Sequence, residues 1–133
     1  MIRAVVADTG PLFAIADESD ERHDRALEEF ESLVRDRRQV LVPYPILLET
    51  YTLILFRLGR RGASDWLSQI LSATFISPAP EDYRRAATQV LALSDRSVTL
   101  VDATVAAVAS RLGLQVWTYD HHFDVMRVPV WRH

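Results

Sequence analysis

The sequence predicts a single α/β domain built on a mainly parallel sheet, and three observations predict it. Short apolar runs rich in β-branched residues alternate with longer segments of helical period along the whole chain. The first run, Ala4-Val5-Val6-Ala7, is apolar without interruption, as in a strand buried on both faces. The length, 133 residues, suits one domain with a substantial core, and there is no repeat, low-complexity segment or linker to divide it.

The elements follow in order. After the first strand, Thr9-Gly10-Pro11 opens a short apolar helix to Ala16, with Pro11 in the turn where a missing N–H costs nothing. Asp17 to Asp24 forms an acidic turn. An amphipathic helix spans about Glu21 to Asp36, with Ala26, Leu27, Phe30, Leu33 and Val34 at inward spacing. Gln39 to Val42 is a second strand, ended by Pro43-Tyr44-Pro45. A helix from Pro45 to about Leu58 ends at Gly59, and another covers Ala63 to Ala73 with Trp66, Leu67, Ile70 and Leu71. Thr74 to Ser77 is a third strand. A helix from Glu81 to Leu93 turns Tyr83, Ala86, Ala87, Val90 and Leu91 inward. After the polar loop Ser94 to Thr99, a small-residue helix runs from Leu100 to Leu112 and stops at Gly113. Leu114 to Tyr119 is a fourth strand and Val128 to Trp131 a short fifth.

Composition excludes several chemistries. All 15 basic side chains counted as Lys or Arg are arginine. Without lysine there is no P-loop and no Schiff-base chemistry, and a phospho-acceptor receiver domain is disfavoured. Without cysteine there is no disulfide, thiolate metal site or thiol nucleophile. The net charge of −3 speaks against a broad basic footprint but leaves room for a local one. No apolar run reaches membrane-spanning length and no signal-peptide pattern is present, so a cytoplasmic location without membrane association is expected.

Four carboxylates stand in marked places: Asp8, Glu49, Asp102 and Asp120. Asp8 ends the first strand and Asp120 follows the fourth. Strand ends of a parallel sheet share one edge, where α/β folds bind ligands. Asp102 opens a helix, and Glu49 interrupts a largely apolar one. Buried acids that converge repel one another unless a cation compensates them. Oxygen ligands of this kind suit Mg²⁺ or Mn²⁺, ions that promote phosphodiester hydrolysis. Each acid also has an ordinary explanation. Asp8 fits a helix cap, Asp102 the capping box Thr99-x-x-Asp102, Glu49 a polar stripe with Thr50 and Thr52, and Asp120 a turn.

Taken together, the stretches VVADTGPLFAIAD, PYPILLETYTLILFRLG, DRSVTLVDATVAAVASRLG and VWTYDHHFD resemble, in order, the motifs of the PIN domain family, and more narrowly its VapC-type toxins. The resemblance spans nearly the whole chain. It implies a three-layer α/β/α sandwich with a mostly parallel sheet of about five strands. It further implies an endoribonuclease dependent on Mg²⁺ or Mn²⁺, with Asp8, Glu49, Asp102 and Asp120 as its metal-binding and catalytic acids. Thr9 and Thr99 match supporting hydroxyls, and Thr118 matches the family's Thr before its last acid. Asp124 competes with Asp120 for the fourth place, and Asp95 matches an acidic position upstream of Asp102 but reads as a loop residue. Such toxins act on RNA, are held inactive by a cognate antitoxin and are commonly homodimers, so those partners are implied too.

Other residues have weaker claims. His121 and His122 read as structural or exposed rather than as ligands. Arg60-Arg61 and Arg84-Arg85 suit phosphate contacts, although a solvated helix face is the commoner explanation, and Arg37-Arg38 suits a helix C-terminus. The stretch Leu47 to Leu58 is apolar on nearly every face, which fits either the monomer core or a surface for a second copy or antitoxin. A non-catalytic PIN-like scaffold, or a nuclease for DNA or structured substrates, stands as the alternative; retention of all four acids speaks against the scaffold.

Overall fold

The computed structural model describes residues 3–94 and 97–133. Its elements are β1 (Ala4–Ala7), α1 (Thr9–Ala16), α2 (His23–Arg35), β2 (Gln39–Pro43), α3 (Tyr44–Ile70), β3 (Thr74–Ile76), α4 (Pro80–Ala92), α5 (Leu100–Leu112), β4 (Gln115–Trp117) and α6 (His122–Val125). The four strands are parallel, in the order β3-β2-β1-β4. Connections from β1 through β2 to β3 move one way across the sheet, and the return to β4 passes back over β1. Right-handed crossovers then put α1 to α3 on one face and α4 with α5 on the other. The packing agrees: α1 lies against α2 and α3, and α4 against α5. The three-layer expectation therefore holds.

The sheet has four strands rather than about five. The fifth segment joins β4 through a single parallel bridge, Val116 to Val130. Val116 donates to the Pro129 carbonyl and Trp131 donates back to Val116, but Pro129 has no N–H with which to extend the ladder. Trp131 is still buried, edge-on to Trp117 at 6.3 Å.

β1 is buried at every position, as its uninterrupted apolar run requires. The core gathers Val5, Val6, Val42, Ile46, Val105, Val116 and Phe123 around it. α3 is broken at Gly59, whose φ of 84° and ψ of 176° leave the helical region. The break lets the second half fold back, so that Ala63 and Trp66 meet Phe13 and Ile54 in a smaller cluster. In the first half, Ile46, Thr50 and Ile54 are buried at i, i+4 spacing, whereas Leu48 and Phe56 face outward. The apolar stretch thus serves the core on one side only.

Two inward assignments are corrected. In α2, Leu27, Phe30 and Val34 are exposed and Glu29 is buried; in α4, Tyr83, Ala87 and Leu91 are exposed and Asp82 is buried. Asp82 is satisfied there by Arg111 of α5, through contacts of 2.8 to 3.1 Å, and by the Ala79 N–H. This paired guanidinium holds the Asp82 carboxyl below its usual range. A helical pattern counts apolar side chains and misses an acid whose partner lies on another element. No helix among the described residues is long and apolar enough to cross a membrane.

Gly59 gives a direct test. A Cβ there would meet nothing within 4 Å, so the cost of Gly59→Ala is backbone strain rather than collision. Urea denaturation should show a loss of about 1–3 kcal/mol.

Candidate metal centre

The C-terminal edge of β1 and β4 is the crevice where strand order reverses across the sheet. β1 delivers Asp8 to it. The Asp8 backbone N–H continues the ladder onto Trp117, while its side chain makes no cap on α1. Instead the Thr118 hydroxyl, one residue past β4, donates to Asp8 Oδ2 at 2.8 Å.

α3 and α1 supply the next group. The Thr9 hydroxyl donates to Glu49 Oε1 at 2.7 Å, and the fully buried Thr50 donates to Thr9 at 3.2 Å. Thr50 therefore belongs to this relay and not to an outward polar stripe. A hydroxyl that both accepts and donates is oriented at both ends.

α5 brings Asp102 through its own start. Thr99 and Asp102 exchange backbone-to-side-chain bonds of 3.1 Å, forming the expected capping box. The capping role and a place in the crevice coexist, because Asp102 is the third residue of the helix and also reaches His122.

Asp120 is anchored from its own turn. Its N–H donates to Thr118, and its Oδ1 accepts the His122 N–H at 2.9 Å. The His122 ring Nδ1 lies 3.2 Å from Asp102 and 2.9 Å from Asp120, and Nε2 lies 2.7 Å from Ser97 Oγ. With carboxylates on one side, Nδ1 must carry the proton, and Nε2 accepts from Ser97 when the ring is neutral. His122 thus bridges two acids, a more specific place than the structural role its sequence context suggested. His121 is exposed, 3.8 Å from Asp120. Asp120, His121 and His122 bring ligand-capable atoms within 4.8 Å of one another. Asp124 points elsewhere, toward the exposed Arg132 at 3.8 Å. Asp95 lies outside the described residues.

The electrostatics single out Asp8. Burial, opposed by hydrogen bonding to the Thr118 hydroxyl and the Thr9 backbone N–H and reinforced by the charges of Asp102 and Glu49, pushes its carboxyl up to about 7. Among the described residues no arginine pairs with Asp8, Glu49 or Asp102. Glu49 Oε2 and Asp102 Oδ1 likewise take no protein hydrogen bond among those residues. Converging acids, an uncompensated charge and oxygens left open make a donor set that fits a hard divalent cation.

A second, unforeseen contributor holds this edge from behind. Glu29 of α2 is buried, and it accepts from Trp117 Nε1 at 3.1 Å and from the Tyr119 hydroxyl on the same oxygen. Arg25 reaches its other oxygen at 3.3 Å. Burial, with the Glu29 hydrogen bond, drives the Tyr119 phenol well above its usual range. Trp117 and Tyr119 turn toward Glu29, while Thr118 donates to Asp8 and accepts the Asp120 N–H. The signal for Glu29 was an acid amid the apolar positions of α2, visible only when its partners are known.

A PIN domain family model matches residues 5–129, and the chain belongs to that family. Among solved structures it is similar to VapC20 of Mycobacterium tuberculosis, described as a sarcin–ricin loop cleaving toxin. That match has 25% identity and a TM-score of 0.84, covering 98% of this chain and 100% of the other. VapBC2 of Rickettsia felis, bound to a DNA fragment from its promoter, matches at 14% identity and TM-score 0.74 over 99% and 98% of the chains. FitAcB of Neisseria gonorrhoeae matches at 15% and 0.70 over 96% of each. These last two share the fold. A search of curated proteins finds no match.

Two predictions follow from the geometry. Since the folded chain raises the Asp8 pKa from 3.8 to about 7, it binds more protons than the unfolded chain between those values. In EDTA, stability should therefore fall as pH rises from about 4 to about 7 and level off above, by on the order of a few kcal/mol. Asp8→Asn should flatten that slope in urea titrations, and it should leave the metal-free protein at least as stable as wild type at pH 8. Glu29→Leu, which orphans the buried Trp117 indole N–H and frees the half-buried Tyr119 hydroxyl, should cost about 1–3 kcal/mol, and Glu29→Gln less. Thermal and urea unfolding of both variants checks this.

Proposed function

We propose that the protein is a divalent-metal-dependent endoribonuclease and the toxin member of a toxin–antitoxin pair. One observation carries the reading: a buried Asp8, its carboxyl raised to about 7 by burial and by Asp102 and Glu49, with no arginine among the described residues pairing with it. Family membership and the likeness to an RNA-cleaving toxin support it.

In this reading Asp8, Glu49, Asp102 and Asp120 hold one or two Mg²⁺ or Mn²⁺ ions. The ion, when bound, supplies an activated water and stabilises the charge that develops on the phosphodiester. The chain's own residues do the rest. Thr118 and Thr9 fix the rotamers of Asp8 and Glu49, so their free oxygens meet the cation without reorganisation. The Thr99 capping box fixes Asp102 in the same way. His122 keeps Asp102 and Asp120 together. Displacement of the Asp8 proton accompanies loading, because the ligand is the carboxylate.

A cognate antitoxin and a second copy of the chain complete the proposal as partners. The outward Leu48 and Phe56 of α3, beside Glu49, are the exposed apolar residues such a contact would cover.

The experiment is cleavage of a structured RNA pool in Mn²⁺ with mapped ends. Wild type should cut, and Asp8→Asn, still folded by circular dichroism, should lose at least about a hundredfold in rate. Retained cleavage by the variant would overturn the assignment.

A further inference from the structure

Beside Asp120 a cleft of about 180 Å³ opens between the start of α2 and the turn after β4. Its walls include Arg22, Arg25 and Arg132, together with Tyr119, His121 and Asp120. Two of these arginines are set in place by the tyrosine ring. The Arg25 guanidinium carbon stands 4.4 Å from the Tyr119 ring centroid and that of Arg22 5.4 Å. Tyr119 cannot swing away, because its hydroxyl is spent on the buried Glu29. Arg25 gives only its Nε to Glu29, so both terminal nitrogens keep their donors. Arg22 makes no side-chain ion pair among the described residues.

The cleft also contains acids, and each is already engaged. Asp120 accepts from His122, and Asp124 faces Arg132 at 3.8 Å. The donors left over belong to Arg22 and Arg25, two planar forks held over one ring. Such forks match the paired oxygens of a phosphodiester. The cleft has room for a phosphodiester group, and Thr118 and Asp120 line it as well as the acidic crevice. A strand with one phosphodiester at the acids would bring a neighbouring one here.

We propose that this cleft is a subsite for a non-scissile phosphodiester of the RNA substrate, gripped by Arg22 and Arg25 and ordered by Tyr119 and Glu29. This rests on the ribonuclease reading above. It assigns binding to the turn before α2 and the first turn of that helix, not to Arg60-Arg61 or Arg84-Arg85.

The test uses full-length Asp8→Asn protein, which should bind RNA without cutting it, and fluorescence anisotropy of a labelled RNA hairpin across a salt series. Adding Arg22→Gln and Arg25→Gln should weaken binding severalfold and lower the log–log salt slope by about 0.7 for each arginine. Arg22→Gln alone, which breaks no ion pair, should give half that change and guards against a folding effect of Arg25→Gln. Mn²⁺ affinity of the same arginine variants with Asp8 intact should match wild type in calorimetry. An unchanged slope and affinity for RNA would overturn the subsite while leaving the nuclease reading standing. If the parent Asp8→Asn protein binds no RNA, both fall. Inorganic phosphate that binds as tightly as the hairpin, with the same loss in the arginine variants, would show a site for free anions and overturn the proposal.

Discussion

Everything at the C-terminal edge of the sheet depends on keeping a carboxyl buried beside two others. Asp8 is 5% exposed and lies in the field of Asp102 and Glu49. Such a group costs free energy in its charged form, which is why its proton is retained to about pH 7. An ordinary structural acid avoids this position by taking an arginine partner, as Asp82 does with Arg111. The contrast between the two buried aspartates is informative. One is neutralised within the fold, and the other is held in place by the neutral Thr118 hydroxyl, which orients it without cancelling its charge.

The surroundings follow from that difference. Thr118, Thr9 and Thr50 each offer a hydroxyl, so the acids are fixed but not compensated. The segment from Trp117 to Asp120 divides the labour. Residues 117 and 119 anchor to Glu29 on α2, and residues 118 and 120 serve the crevice. The first pair is a purely structural investment in the geometry of the second. His122 closes the arrangement from α6 by joining Asp102 of α5 to Asp120 of the turn after β4.

Much of this was legible in the residues. The β1 run, the capping box at Thr99 and Asp102, and the glycine stops at Gly59 and Gly113 are local signals, and local signals survive folding. Gly113 indeed ends α5 in the left-handed conformation, with φ 67°. The convergence of Asp8 and Asp120 was an inference from parallel topology, and in the structure Thr118 lies between them, donating to Asp8 and accepting the Asp120 N–H. What could not be read depends on partners distant in sequence. Glu29 is separated from Tyr119 by 90 positions, Asp82 from Arg111 by 29 and His122 from Asp102 by 20. In each case the polar residue sits where a periodic pattern expects solvent or an apolar side chain. The fifth strand failed for a different reason, since Val128 to Trp131 has strand-forming residues but Pro129 breaks the donor pattern.

The most direct measurement is Mn²⁺ titration calorimetry near pH 7 in two buffers of different ionisation enthalpy, which counts protons released on binding. Because the Asp8 carboxyl is raised to about 7, loading at that pH should release about half a proton, and Asp8→Asn should lose both that release and most of the affinity. Absence of binding in wild type, or binding with the same affinity and proton count in Asp8→Asn, would contradict the assignment of these carboxylates to a metal.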